Sequence, residues 1–159
     1  MDNDLLQTAL NYCYFYLKFR PRTKKEVIDY LIKKSERFHF TQEIIDEAIT
    51  QLEEQKFVDD QKFVEWFVEQ RSLTKPKSEF VLRGELLRFG VDRDLINEYF
   101  ENNELNEDDL AYKTMLKRWN HFKHLPAKER LEKSTNFLLR RGFSFEIVRK
   151  IINQMEENF

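Results

Sequence analysis

Apolar and polar residues follow one another along this chain with the spacing of amphipathic helices. Long stretches free of Gly and Pro carry apolar residues three or four positions apart, which is typical of helices with one buried face. Capping residues, Pro and Gly divide these stretches into nine predicted helices, which begin at about residues 4, 23, 41, 60, 76, 92, 106, 126 and 144. The pattern therefore predicts an all-α fold.

One short signature recurs three times: an apolar residue, a capping residue, any residue, an acid and two aliphatics. The copies begin at Phe40, Val91 and Phe143. In each copy the capping oxygen accepts a hydrogen bond from a free N–H of the helix, and the first apolar residue packs against the fourth helical one. The spacing predicts three tandem three-helix repeats, at 1–55, 57–102 and 106–159, which we expect to form an elongated, curved array.

Local signals predict how the other helices begin. Thr23 and Glu26 have the spacing of a capping box at the start of helix two. Asp59 and Asp60 are expected to cap helix four, and Pro76 is expected to be the first residue of helix five.

Glycines are expected to mark two of the corners that precede the recurring signature. Gly90 and Gly142 occupy corresponding positions and fit the left-handed residue after a helix. The first repeat has extra residues in its corner, at 35–39, and has no glycine there.

The aromatic residues are mostly expected to fill the core. The helical spacing of Tyr12/Phe15/Phe19 and Phe63/Trp66/Phe67 favours burial over base stacking. Trp119 and Phe122, which lie beside Arg118 and Lys123, are the pair for which stacking on nucleic-acid bases stays open.

The sequence offers little for catalysis or for a cofactor. The three histidines are His39, His121 and His124; His121 and His124 lie three residues apart, but no Cys or carboxylate lies near that pair at metal-ligand spacing. A phosphate-binding glycine loop and a nucleophile motif are both missing from the sequence. We therefore expect a protein that is not an enzyme and binds no cofactor or metal. A lone cysteine, Cys13, and the lack of a signal peptide or membrane-spanning stretch predict a cytoplasmic protein.

Charge is distributed unevenly along the chain. Counting Lys and Arg against Asp and Glu, the net charge is −3 for residues 1–60, −5 for 61–110 and +6 for 111–159. Basic residues gather at corresponding corners of the repeats, and this is the electrostatic pattern of a surface that binds a polyanion. The residues that we expect to contact DNA or a protein partner are Arg20, Arg22, Lys24, Lys25, Arg71, Lys75, Lys77, Arg140 and Arg141.

Several motifs together resemble those of RecX-type regulatory proteins. They are Arg22-Thr23-x-x-Glu26-Val27, Phe57-Val58-Asp59-Asp60-x-x-Phe63 followed by Arg71, Leu86-x-x-x-Gly90-Val91, Glu107-x-x-x-Ala111 with Lys117 beyond, and Phe137-Leu138-x-Arg140-Arg141-Gly142-Phe143-Ser144. The resemblance covers residues 20–155. It implies three tandem three-helix repeats and a regulator that binds the RecA recombinase and its filament on single-stranded DNA. Such a regulator modulates recombination and the SOS response, usually by inhibition, and we expect a monomer.

Two other functions stay open on the residues alone. A helix-turn-helix protein that reads duplex DNA would place residues such as Gln42 and Arg93 at the start of a recognition helix. A helical-repeat scaffold for another protein would show neither an effect on RecA nor a salt-dependent affinity for DNA.

Overall fold

The computed structural model describes residues 2–159, and this part of the chain is all-α. Its nine helices are α1 (Asn3–Leu17), α2 (Lys24–Phe38), α3 (Gln42–Glu54), α4 (Asp60–Thr74), α5 (Glu79–Arg88), α6 (Arg93–Asn102), α7 (Glu107–Phe122), α8 (Ala127–Arg140) and α9 (Phe145–Asn158). The prediction of an all-α fold of nine helices is confirmed.

The recurring signature begins the third helix of each three. At α3 and α9, Thr41 Oγ1 and Ser144 Oγ accept from the third backbone N–H of the helix, at 3.2 and 3.3 Å. At α6, Asp92 Oδ1 accepts from Asp94 N at 2.8 Å. The six residues of the three apolar pairs are all buried, as the signature predicts: Phe40 and Ile45, Val91 and Ile96, Phe143 and Val148.

A left-handed residue precedes each signature. Gly90 and Gly142 have φ angles of 84° and 88°, as predicted. His39 occupies the corresponding position in the first copy, with φ 55°. The first copy therefore has histidine in the left-handed conformation that the other two copies achieve with glycine. Left-handed backbone is costly for any residue with a Cβ.

One predicted helix start and one predicted capping role are wrong, whereas α4 begins at Asp60 as predicted. Pro76 lies before α5, which begins at Glu79, because the Ser78 hydroxyl accepts from Val81 N (3.3 Å) and caps the helix. Only Asp59 caps α4, through Lys62 N (3.2 Å). Asp60 Oδ1 accepts instead from the first backbone N–H of α2, at Lys24 N (2.8 Å).

The chain divides into two compact units: Met1–Phe67 with Glu85–Tyr99, and Val68–Gly84 with Phe100–Phe159. The division falls inside α4, α5 and α6, so it does not follow the three predicted repeats. The limits 1–55, 57–102 and 106–159 stay a prediction.

The first unit has a core formed largely by α1, α2 and α3. Ala9, Leu10 and Cys13 of α1 are buried among Leu31 and Leu52. In contrast to the prediction, Phe15 and Phe19 are not core residues: they are 59% and 67% exposed and pack edge to face on each other at 5.1 Å. The buried face of α1 carries Leu10 and the two small residues Ala9 and Cys13, and it does not include the phenylalanines.

The other predicted aromatic group is mostly buried. Phe63 and Phe67 are core residues, and both rings pack against Phe89, at 5.5 and 5.4 Å. Trp66 is half-buried and lies 5.7 Å from the Phe63 ring.

The second unit has a core built by α7, α8 and α9. Met115, Leu138, Ile151 and Met155 are almost completely buried, together with the indole ring of Trp119. None of the helices in residues 2–159 is both long enough and apolar enough to cross a bilayer.

Candidate functional site

The first predicted basic cluster, Arg20 to Lys25, is built around the start of α2. The Thr23 hydroxyl oxygen accepts from Glu26 N (3.1 Å), and Glu26 Oε1 accepts from Thr23 N (3.2 Å), so the predicted capping box is present. The Thr23 hydroxyl also donates to the Phe89 carbonyl (2.6 Å), just before Gly90. Together with Asp60, which accepts from Lys24 N, these groups bind three of the backbone N–H groups at the start of α2.

Arg20 and Arg22 are held by this same cap. Arg20 makes a two-pronged ion pair with Glu26, with Nη2 2.6 Å from Oε2, and its guanidinium lies over the Phe89 ring. The guanidinium of Arg22 lies 4.0 Å from the centre of the Tyr16 ring, and its side chain is only 15% exposed. Both arginines therefore have structural partners, which limits what they can offer to a ligand.

Lys24 and Lys25 are more accessible. Lys24 Nζ pairs with Glu53 (3.1 Å) and Lys25 Nζ with Asp29 (2.9 Å), and their side chains are 49% and 58% exposed. Exposed ion pairs are weak, about 0–1 kcal/mol, so an anionic partner can replace these carboxylates at little cost.

The second predicted cluster lies between α4 and α5, in the second unit. Lys75 is exposed and has no ion-pair partner among residues 2–159. Arg71 and Lys77 are half-buried, and each already has an interaction partner.

The structure brings this segment together with the predicted Arg140–Arg141 pair. Ser78 N donates to the Arg141 carbonyl (3.1 Å), and Arg141 Nη1 donates to the Pro76 carbonyl (3.3 Å). Arg140, the neighbouring residue in α8, is exposed. Residues that are 65 positions apart in the sequence therefore meet at one place.

A groove opens beside this meeting point, and we call it the α4–α7 groove. It has a volume of about 430 Å³ and lies wholly within the second unit. The end of α4 with Pro76 forms one side, α7 the other, and Phe137 and Arg141 complete it. Its charged lining residues are Lys113, Lys117, Arg118 and Arg141.

Two guanidinium groups approach the Phe137 ring in this groove. Arg118 and Arg141 lie 5.5 and 5.0 Å from the ring centre. Burial, and then the charge of Arg118, lower the pKa of Arg141 below its usual value. The two cations thus repel each other where water is partly excluded, an arrangement that an anion between them would stabilise.

Arg118 and Lys117 are absent from the predicted contact residues, although they belong to a basic run of α7. The run was visible in the sequence, but its proximity to Arg141 depends on how α7 and α8 pack. Trp119, the candidate for base stacking, is 4% exposed, and Phe122 packs against the same core. The Trp119 ring is therefore not available as a platform for bases, and the Phe122 ring is half-buried.

The remaining surface chemistry of the described residues is sparse. A wider groove, of about 550 Å³, is lined by Glu79, Glu104, Glu107 and Asp108 and has the opposite charge. Within residues 2–159 there is no group of three His, Cys, Asp or Glu side chains placed to hold a metal ion.

The tandem three-helix pattern and the α4–α7 groove together define a helical-repeat protein with a positively charged cleft. Comparison with protein families shows which family of helical-repeat proteins this is. Three family models match in order along the chain: RecX first three-helix domain at 9–52, second at 59–99 and third at 106–152. The chain belongs to the RecX family.

Relatives and solved structures agree with this assignment. The chain is 30% identical to "Regulatory protein RecX" of Streptococcus pyogenes serotype M5 (strain Manfredo), over 98% of this chain and 62% of that protein. It is similar to the crystal structure of RecX from Lactobacillus salivarius, with a TM-score of 0.73 and 24% identity over 96% of this chain and 97% of the other. A second RecX crystal structure has a TM-score of 0.70 and 22% identity, over 94% and 72%. The chain spans about 62% of the length of the curated relatives that it matches first.

Proposed function

We propose that this protein is a regulator of the RecA recombinase, which binds the RecA filament on single-stranded DNA and inhibits it. The observation that carries the proposal is the ordered match of all three RecX domain models over residues 9–152. The curated relatives bear the name of a regulatory protein, which supports a role in regulation. We infer RecA and single-stranded DNA as the partners because RecX-type proteins are expected to bind them.

The charge of the described surface supports a filament as the partner. A RecA filament on DNA presents protein and phosphate side by side, and the chain offers exposed cations such as Lys24, Lys25, Lys75 and Arg140. Binding would occur without catalysis by this chain, since inhibition requires only that the filament be held or its growth be blocked. Of the two residues considered for duplex reading, the Gln42 amide donates to Asp46 (2.7 Å), and Arg93 is exposed at the start of α6.

Sedimentation of RecA filaments tests whether the protein binds them. Filaments assembled on single-stranded DNA with a slowly hydrolysed ATP analogue would be pelleted with this protein, beside a tube that contains the DNA alone and a tube that contains RecA alone. We expect the protein to pellet with filaments at lower concentration than with either component. If the protein stays in the supernatant of all three tubes, the proposal is contradicted. Preference for a defined duplex site would favour the helix-turn-helix alternative.

A further inference from the structure

The α4–α7 groove carries positive charge that nothing in its lining compensates. Of its four lining cations, only Lys113 has an ion pair among residues 2–159, with Asp109 at 2.8 Å. Arg118 and Lys117 have no ion pair in this part of the chain, and none of the lining residues is a carboxylate. Surface cations usually alternate with acids, so this groove is distinctive among the described surfaces.

The polar lining groups define what the groove can recognise. The hydroxyls of Ser72, Thr74 and Thr114 already donate to backbone carbonyls of their own helices, at 2.9, 2.7 and 2.6 Å. The donors that remain for a ligand are therefore the charged ones. Guanidinium groups present paired N–H donors that match two oxygens of one anion.

We propose that the α4–α7 groove binds the phosphate backbone of single-stranded nucleic acid, with Arg118 and Arg141 as the central contacts and Lys117 beside them. The proposal rests on the proposed function, in which a strand of DNA is part of the partner. The Phe137 ring between the guanidiniums is only 7% exposed, so the groove holds phosphates and does not stack bases. Recognition is consequently independent of base sequence.

A nucleic-acid strand fits this groove better than an acidic peptide does. A strand carries one phosphate on each nucleotide, so neighbouring charges can meet Lys117 and the two arginines together. An acidic protein segment is the competing occupant that the experiment must exclude.

The test measures binding of the whole chain to a fluorescently labelled oligothymidine, of about 20 nucleotides, by anisotropy over a range of salt concentrations without RecA. The variant carries Arg118→Gln and Arg141→Gln. Counterion release predicts a loss of about fivefold per phosphate contact at about 0.1 M salt, so about 25-fold for two. The slope of log affinity against log salt should fall by about 1.4.

The chain offers a matched control. Lys128→Gln with Arg149→Gln removes two exposed cations of the same unit that also lack ion-pair partners among residues 2–159. This control should lose less than about threefold, since its two cations line a different groove, which also contains Glu132. Equal losses in the two double variants would overturn the proposal, because binding would then be diffuse. Absence of any binding by the parent at low salt would overturn it too.

Two further measurements keep the result interpretable. Arg141 donates to Pro76, so its replacement can affect folding. Arg118→Gln alone changes an exposed residue and should still lose about fivefold in affinity. Polyglutamate at equal charge should displace the strand poorly, and efficient displacement would assign the groove to acidic protein instead. RecA is absent throughout, so loss of binding to the oligothymidine can be distinguished from a failure to bind RecA filaments in the sedimentation experiment.

Discussion

The three glycines of this chain should respond to alanine substitution with different signs. Gly84 lies inside α5, where a Cβ would meet nothing within 4 Å, and its φ is not positive. Gly90 and Gly142 have left-handed backbone, and a Cβ at either would collide with a neighbouring side chain. Gly84→Ala should stabilise the fold by about 0.5–1 kcal/mol, because alanine is the better helix former.

The magnitude at Gly142 has two parts. Left-handed backbone costs a residue with a Cβ about 1–2 kcal/mol. A Cβ there would also penetrate Val81 Cγ2 and the Ser78 hydroxyl, and it would approach Val81 Cβ to 3.3 Å. Overpacking of a filled site costs about 1–3 kcal/mol, so Gly142→Ala should lose about 2–5 kcal/mol, and Gly142→Val at least as much.

At Gly90 the obstacle is the stem of Lys25, whose Cβ would lie 2.5 Å and Cγ 2.9 Å from the new atom. The long side chain can rotate, but its Cβ is fixed to the backbone of α2. Gly90→Ala should therefore cost about 2–4 kcal/mol, which combines the backbone cost with part of the overpacking cost.

Urea unfolding followed by circular dichroism measures all three variants against the parent. The expected order of stability is Gly84→Ala, parent, then Gly90→Ala and Gly142→Ala well below. If Gly142→Ala unfolds at the same urea concentration as the parent, a Cβ at this left-handed position does not carry the expected cost. A destabilised Gly84→Ala would show that α5 has a close neighbour at that position.

Three further predictions concern buried or strained groups. His39→Gly should stabilise by about 1 kcal/mol in urea unfolding, because His39 is exposed with φ 55°, and an unchanged midpoint would contradict this. Burial is the largest influence on the pKa of Asp60 and raises it above the usual 3.8. The stabilisation that comes from protonating Asp60 is therefore fully present below pH 3.8 and is lost as the pH rises through the raised pKa. Asp60→Asn keeps an acceptor for Lys24 N and does not ionise, so its stability relative to the parent should increase as the pH rises through the raised pKa of Asp60, whereas a pH-independent difference would contradict the assignment. Burial also raises the pKa of Cys13 to about 12, so the native thiol should resist a disulfide reagent until the chain unfolds, whereas prompt labelling would place it at the surface.

Local chemistry made much of the fold predictable. The capping box of Thr23 and Glu26 and the left-handed Gly90 and Gly142 depend on residues within a few positions of one another. Such local signals determine the backbone conformation nearby, because a cap or a left-handed corner leaves few alternatives for the backbone.

The predictions that were wrong concern residues whose positions depend on contacts with distant parts of the chain or on which face of a helix is buried. Asp60 was expected to cap its own helix, but its carboxylate reaches Lys24 N, 36 positions away. The start of α5 at Glu79 depends on Ser78, which is buried and donates its N–H to Arg141. Phe15 follows Cys13 by two residues, which is about 200° around the helix, so burial of the small residues turns the ring outward.

The motif residues that resemble RecX proteins mostly serve the fold. Glu26 binds Arg20 and caps α2, Asp60 binds the first turn of α2, and Gly142 makes room for Val81. The motifs therefore identify the architecture more directly than the contact surface. The proposed contact surface instead includes Arg118, whose position depends on helix packing.

Inhibition of the single-strand-DNA-dependent ATPase of RecA is the most direct measure of the proposed function. RecA from the same source as this chain would hydrolyse ATP on single-stranded DNA at fixed salt while the protein is added. The account predicts that the steady-state rate falls at concentrations well below that of RecA, because a few bound molecules would affect a whole filament. An unchanged rate when the protein equals RecA in concentration would contradict the account.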